Sequence, residues 1–411
     1  MNREKQLSAL VQSFSRGELS RRAFIGGAIG LGVSVPAIGA LLADPALVSA
    51  QDGTPASGGA VGPAADTITF GSFNVDQAPL NMQNGDIDLY LFGLKTAGAQ
   101  SLEGDDSIRL IDAPASTLSL ILNPAPAPEG QLNPFSIKEV RQAMQYLIDR
   151  DFIANDIYQG RAMPMLTNIS PTDYDQLTIF PIVSQENIRY DAELAAQQIN
   201  DAMTAAGASN DGGQWSFDGN PIQIKIVTRV EDERRDIGDL VRSALEQIGF
   251  VVAPVYQQFG PATLAVYASD PATFQWHIYT EGWGRGAPVR YDDAGINQFA
   301  APWLGNMPGW QEVGYWQYEN EDLDTIGKQL YRGEFASQED RDALYQQMTQ
   351  LALDESVRVW LVTALQSFPV SSEVENLTVD IVSGPRNLFA LRGADIPGRT
   401  DLKVGNLWVW T

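Results

Sequence analysis

Six consecutive residues, Glu281-Gly282-Trp283-Gly284-Arg285-Gly286, put a carboxylate, an indole and a guanidinium into one glycine-rich stretch. Glycine lets backbone approach a bound molecule, tryptophan offers a flat stacking face, and arginine offers a planar fork that matches a carboxylate. Such a set suits the holding of a small solute. Tyr279 lies just ahead of it, and Trp303, Trp310 and Trp316 crowd the segment that follows. Trp283, Arg285, Tyr279, Glu281 and Trp303 are therefore the candidate ligand-binding residues. The competing reading is a surface turn, with Trp283 in the core and the later tryptophans in ordinary packing.

Bond-breaking chemistry has few places to reside. The chain has no cysteine, which removes thiolate nucleophiles, disulfides, thiolate metal sites and cysteine-linked lipid anchors. Its one histidine, His277, cannot assemble the usual multi-histidine zinc site, and reads as structural between Trp276 and Ile278. No phosphate loop, Gly-x-Ser-x-Gly elbow or Asp-x-Asp-x-Asp-Gly calcium loop occurs. No cofactor or metal is expected. What remains is a carboxylate pair acting on glycosides, and no spacing selects one pair among 51 acidic residues. The net charge of −24 repels phosphate backbones and anionic headgroups, so nucleic acid is not an expected partner.

The elements that must position these residues are α/β in pattern. Thr67–Phe70, Gly85–Phe92, Ser107–Ile111 and Ser116–Leu122 read as strands, with a short helix around Gln77–Gln83. Pro124, Pro126 and Pro128 suggest a crossing between lobes. Val140, Ala143, Met144 and Leu147 mark one face of a helix. Asp149-Arg150-Asp151 reads as a cap with a local ion pair, opening a helix to Tyr158; another runs from Asp191 to Ala206. Ile222, Ile224 and Ile226 alternate as a strand. A helix bearing Ile237, Leu240, Val241, Ala244, Leu245 and Ile248 follows, then Phe250-Val251-Val252: a right-handed β-α-β unit. A strand at Phe274–Thr280 feeds the glycine-rich stretch, with a turn at Gly282. Helices near Glu321–Tyr331 and Ser337–Asp354 and a buried strand at Val357–Val362 complete the pattern.

At the N-terminus Arg21-Arg22 precede a stretch, Ala23–Ala43, without charge but rich in glycine. That weakly hydrophobic run, followed by Val48-Ser49-Ala50, reads as a twin-arginine export signal with a small-x-small cleavage site. The alternative is an uncleaved anchor helix. Residues 51–65, rich in Gly, Ala, Ser and Pro, read as a flexible tether.

Four stretches carry a family resemblance: Met82-x-x-Gly85-Asp86-Ile87-Asp88; Val140-Arg141-Gln142-Ala143-Met144-x-Tyr146-x-Ile148-Asp149-Arg150; Tyr190-Asp191 with Ala206-Gly207 and Leu245-x-x-Ile248-Gly249; and Gly282-Trp283 with Tyr318-x-Asn320-x-x-Leu323-Asp324. Together they resemble family 5 of the bacterial solute-binding proteins, the dipeptide, oligopeptide and nickel group. The resemblance implies an α/β, two-lobed periplasmic-binding-protein-like (class II) fold with a reduced first lobe, since the family's opening section is not matched. Lobe 1 would comprise 66–123 and 366–411, lobe 2 124–365. It also implies a monomeric, non-catalytic protein that takes a small-molecule or peptide ligand for an ABC permease. Peptide binders of the family place an aspartate soon after the tryptophan; here Gly284, Arg285 and Gly286 stand there, which counts against a peptide ligand. The alternatives are an exported carboxylate-dependent glycoside hydrolase and a binding fold that no longer transports.

The export reading predicts that changing Arg21 and Arg22 together to lysine leaves precursor in the cytoplasm, scored by cell fractionation and immunoblot. Normal export of that variant rejects the twin-arginine signal.

Overall fold

The computed structural model describes residues 63–285, 320–387 and 389–407, with Ser13, Phe299, Met307, Pro308 and Tyr318. The chain divides into Met1–Gly62 and Pro63–Thr411. Of the first unit only Ser13, in a helix, is described, so the twin-arginine segment and residues 51–62 lie outside the described residues. The last residues of the expected tether are packed: Ala64 N donates to Arg392 O at 3.0 Å, and Ala65 is buried. No helix among the described residues is long and apolar enough to cross a membrane.

The second unit opens with β1 (Thr67–Ser72), α1 (Ala78–Gln83), β2 (Leu89–Tyr90) and α2 (Thr96–Gln100). β3 (Ile108–Leu122) is one long strand where the sequence suggested two, with Pro114 inside it. α3 (Lys138–Leu147) buries the predicted stripe of Val140, Ala143, Met144 and Leu147. Asp149 caps the next helix by accepting from Phe152 N; α4 (Arg150–Phe152) then continues as π-helix over Ile153–Ile157. β4 (Ala162–Pro164), α5 (Gln176–Glu186) and α6 (Ala192–Ala205), capped by Asp191, follow. α5 escaped the sequence reading because it holds Pro181 and buries only Ile179.

A two-residue-strand hairpin, β5 (Ser216–Phe217) and β6 (Asn220–Pro221), precedes the β-α-β unit. That unit is β7 (Gln223–Arg229), α7 (Arg234–Gln247) and β8 (Val251–Gln257), with β7 and β8 parallel as predicted. α8 (Phe259–Val266) and β9 (Ile278–Gly284) come next, then α9 (Glu321–Arg332) and α10 (Gln338–Glu355). β10 (Arg358–Ser371) runs well past the predicted Val362, and α11 (Ala390–Gly393) and β11 (Asp401–Asn406) close the chain.

One sheet carries these elements in the order β1-β11-β2-β10-β3-β9-β7-β8, with β4 also on β10. β1, β11 and β2 are parallel at one end. β9, β7 and β8 are parallel at the other. β3 and β10 pair antiparallel between them and serve both ends. The small end is packed by Leu89, Val370, Leu402 and Val404 on one face and by Ile87, Tyr90 and Leu102 on the other. The large end is packed by Leu118, Leu120, Leu122, Ile224, Ile226 and Ile237 beneath α3, α6 and α7. Each such fully buried aliphatic side chain contributes about 1.5–3 kcal/mol.

α7 sits so close on β7 that a Cβ at Gly238 would lie within 2.5 Å of Thr228 Cγ2. Gly238→Ala should therefore destabilise by about 1–3 kcal/mol through overpacking, although alanine favours helix. Thr228→Ala in the same chain should recover part of the loss. Denaturant melts of the single and double variants decide this; a neutral or stabilising Gly238→Ala contradicts the close approach.

Candidate ligand-binding site

β9 lies four residues further along than the sequence suggested. Gly282 is in the strand and makes no turn, paired with Leu118 of β3, while Glu281 pairs with Ser119 and Trp283 with Thr117. Its glycine is a packing requirement: a Cβ there would stand 2.8 Å from Arg234 Nη1 and 2.9 Å from Leu118 Cδ2. His277 and Trp276 precede the strand, so they do not follow its alternation; Trp276 packs with Tyr279. His277 Nδ1 accepts from Lys225 N at 3.2 Å. Burial and then the nearby Lys225 charge push its pKa down to about 4, so it is neutral at neutral pH. That is the structural role predicted for it.

Strand alternation puts Tyr279, Glu281 and Trp283 on one face. Glu281 is 2% exposed and paired with Arg358, equally buried, on β10. Its carboxylate accepts from Arg358 Nε at 2.6 Å, Arg358 Nη2 at 2.8 Å and Ser119 Oγ at 2.8 Å. Arg358 also lies 5.0 Å from the Phe299 ring centroid. Trp283 is half-buried, edge-on to Phe299 at 5.2 Å and to Tyr267 at 6.3 Å. Its Nε1 is buried without a hydrogen-bond partner among the described residues. The Tyr279 hydroxyl accepts from Arg229 Nη1 at 3.4 Å. Trp303, Trp310, Trp316 and Gly286 lie outside the described residues.

Arg285 follows β9 and is buried. Its guanidinium pairs with Asp173 and donates to Pro114 O at 2.7 Å, while its backbone N donates to Ala115 O at 2.8 Å. Arg386 Nη2 takes Ala115 O as well, at 2.7 Å. These carbonyls are free because the β3–β10 ladder breaks here: register shifts between Ala364 and Gln366, opposite Ala113 to Ser116. Proline at 114 supplies no N–H to that ladder. On the β10 side Leu365 N turns to Arg161 O at 2.9 Å. The structure thus brings Glu281, Trp283 and Arg285 together with Arg358, Asp173 and Arg386. Those last three carry no local sequence signal; they are charged residues far apart in the chain that folding makes neighbours.

The other face of the same junction carries the loop from β7 to α7. Arg234 Nε donates to Asp232 Oδ1 at 2.7 Å. Burial works to raise the Asp232 pKa, but Arg234 and Arg229 outweigh it and hold it low. Glu233 Oε1 accepts from Thr96 N, at the start of α2, at 2.7 Å. Burial, with Asp232 beside it, leaves the Glu233 pKa raised despite that bond. A cavity of about 20 Å³ lies here, bordered by Phe92, Thr96, Tyr158, Arg161, Glu233 and Gln366. A wider groove of about 570 Å³ lies elsewhere, bordered by Arg150, Met165, Val183, Arg189 and Tyr190. Arg150 in its wall forms no ion pair with Asp149 or Asp151 among the described residues, although the Asp151 charge acts on it through space. It donates to Trp360 O, Met165 O, Gln145 O and Gln145 Oε1, and burial pushes its pKa down to about 10. No group of three metal-ligating side chains occurs among the described residues.

The sequence profile described as bacterial extracellular solute-binding proteins, family 5 Middle, matches residues 59–300. No curated protein matches the chain. Among solved structures, a periplasmic oligopeptide-binding protein of Thermotoga maritima with bound mannohexaose superposes with a TM-score of 0.63 at 16% identity, covering 79% of this chain and 61% of that one. The oligopeptide-binding protein AppA of Bacillus subtilis, in complex with a nonapeptide, gives 0.60 at 17%, covering 79% and 58%. NikZ of Campylobacter jejuni, in complex with Ni(L-His), gives 0.57 at 16%, covering 76% and 58%. The chain spans about three-fifths of the length of these relatives. At such identities the likeness shows the fold, which is the two-lobed α/β fold of periplasmic binding proteins with a small first lobe.

The buried Glu281–Arg358 pair gives a measurable expectation. Arg358→Met should cost about 3–5 kcal/mol, because it leaves an uncompensated carboxylate in the interior. Adding Glu281→Met should return much of that. Denaturant melts giving strictly additive losses contradict the pairing.

Proposed function

The chain belongs to the bacterial extracellular solute-binding proteins, family 5, and from that premise we propose that it captures a small solute between its lobes and delivers it to an ABC importer. One observation carries this reading. The C-terminal ends of the parallel strands β7 and β9 both open onto the junction between the two ends of the sheet. In open α/β sheets that edge is where ligands bind. Residues 66–123 and 366–411 form the first lobe in this reading, and 124–365 the second. Trp283, Arg285, Tyr279, Glu281 and Trp303 are the proposed ligand-binding residues. Glu281 and Arg285 act through their ion pairs with Arg358 and Asp173, which fix the end of β9. The protein acts as a monomer outside the cytoplasmic membrane, exported by the twin-arginine route, with a membrane permease as partner. It performs no catalysis.

The solute is peptide-like or sugar-like. The relatives described above hold a nonapeptide, a nickel–histidine complex and a mannohexaose. The same internal ion pairs favour a second reading, a binding fold that no longer transports, since Arg285 already has a carboxylate on its fork.

Trp283→Ala separates these readings. Loss of a central stacking contact should weaken solute binding by about 1–3 kcal/mol in calorimetry. Stability should fall by less, because the ring is only half-buried. Unchanged affinity with a large loss of stability would make Trp283 a core residue and remove it from the site.

A further inference from the structure

The small cavity at the junction is bordered by two carboxylates, Asp232 and Glu233. Asp232 is held by Arg234. The two cations at its rim are also taken: Lys95 lies 2.8 Å from Asp76, and Arg161 pairs with Asp112 and bonds Ser367 Oγ. Glu233 has no cationic partner among the described residues. Its donors there are neutral: the Thr96 backbone and side chain and its own backbone N–H, none of which brings a positive charge. One negative charge is therefore left over in the cavity, on this side chain.

The remaining lining suits a positive donor. Gln366 Oε1 is buried with no donor among the described residues. Tyr158 is buried, and burial keeps its hydroxyl pKa well above the ordinary value, so it adds a neutral aromatic ring and not a second anion. Phe92 adds another ring. Carboxylate, amide oxygen and aromatic faces together favour an ammonium group over a neutral or anionic one. The space, about 20 Å³, exceeds what one water requires and fits such a compact head.

We propose that this junction cavity receives an ammonium group of the captured solute, and that Glu233 is the carboxylate that binds it. The inference rests on the solute-capture reading and names the substrate class: an amine-bearing molecule, whether a peptide with a free N-terminus or a small polyamine. Because Glu233 also holds Thr96, a bound ammonium and the contact between the two sheet ends share one carboxylate. Burial disfavours the ionised form of Glu233, and a bound cation would offset that cost.

The test is calorimetry on the wild type and on Glu233→Gln with four probes: tri-alanine, N-acetyl-tri-alanine, putrescine and a neutral linear hexasaccharide. Glutamine keeps an oxygen for Thr96 N, so thermal unfolding should stay where it was. The expected result is binding of tri-alanine or putrescine, with the variant weaker by about tenfold or more, as for loss of a charged hydrogen bond. N-acetyl-tri-alanine and the hexasaccharide should bind at least as poorly in the wild type. Tri-alanine against putrescine identifies the source of the amine. Equal binding of a neutral probe, or an amine probe indifferent to Glu233→Gln, overturns the inference and leaves solute capture standing. No binding of any probe, charged or neutral, to the wild type overturns the inference, and solute capture then falls only if a wider ligand screen is also negative.

Discussion

Two strands, β3 and β10, belong to both ends of one sheet, and this shared pair constrains everything else in the structure. Their antiparallel ladder runs from Arg358–Ile121 to Ser371–Ile108. The small and large ends are thus covalently and sheet-wise continuous. The ladder is interrupted once around Pro114–Ala115 and Leu365, and the backbone groups released there are taken by arginines: Arg285 and Arg386 bind the β3 carbonyls, while the Arg161 carbonyl binds Leu365 N. A backbone group buried without a partner would cost as much as a lost hydrogen bond, so the break is sustained by these three residues. A second irregularity lies between Trp360 and Val362. The first falls where the sheet passes from one core to the other, and the second lies within the large core, among Val359, Leu361 and Leu118.

The junction is unusually charged for a place so buried. Glu281–Arg358 and Arg285–Asp173 lie on one face, Asp232–Arg234 on the other. Desolvating such pairs costs several kcal/mol per ion, and only good geometry with extra hydrogen bonds offsets it. Glu281 meets that condition with three donors. These pairs fix directions more than they add stability: they hold β9 at one register and aim Trp283 toward Phe299 and Tyr267. On the Glu233 face the described contacts between the two sheet ends are polar: Glu233 to Thr96 N, Gln100 to Gln159 at 2.5 Å, and Arg161 to Asp112 and Ser367.

The sequence disclosed the parts of this arrangement that rest on periodicity. The stripe Val140, Ala143, Met144, Leu147 and the β7-α7-β8 unit were legible because core-facing residues repeat at fixed spacing. Asp149 was legible as a cap because side-chain capping is local. β9 was misplaced because its apolar alternation begins before its pairing does: Phe274 and Trp276 are hydrophobic but sit in a turn and its exit, with Phe274 at φ 49°. Gly282 looked like a turn residue because glycine serves two purposes, and only the neighbours, Leu118 and Arg234, reveal which one applies. The partners of the site residues were not legible at all. Asp173, Arg358 and Thr96 are separated from Arg285, Glu281 and Glu233 by tens to more than a hundred positions, and nothing local marks them.

The central proposal is that a chain about three-fifths the length of its solved relatives captures a small solute between its lobes. The most direct measurement is the thermal unfolding of the purified protein against a library of peptides, amines, saccharides and nickel complexes. A binder present at a hundred times its dissociation constant should add about 2.7 kcal/mol and raise the melting temperature. Such a rise is expected for at least one amine-bearing class, saturating with concentration. Melting temperatures unmoved across the whole library would contradict it and leave the fold without its function.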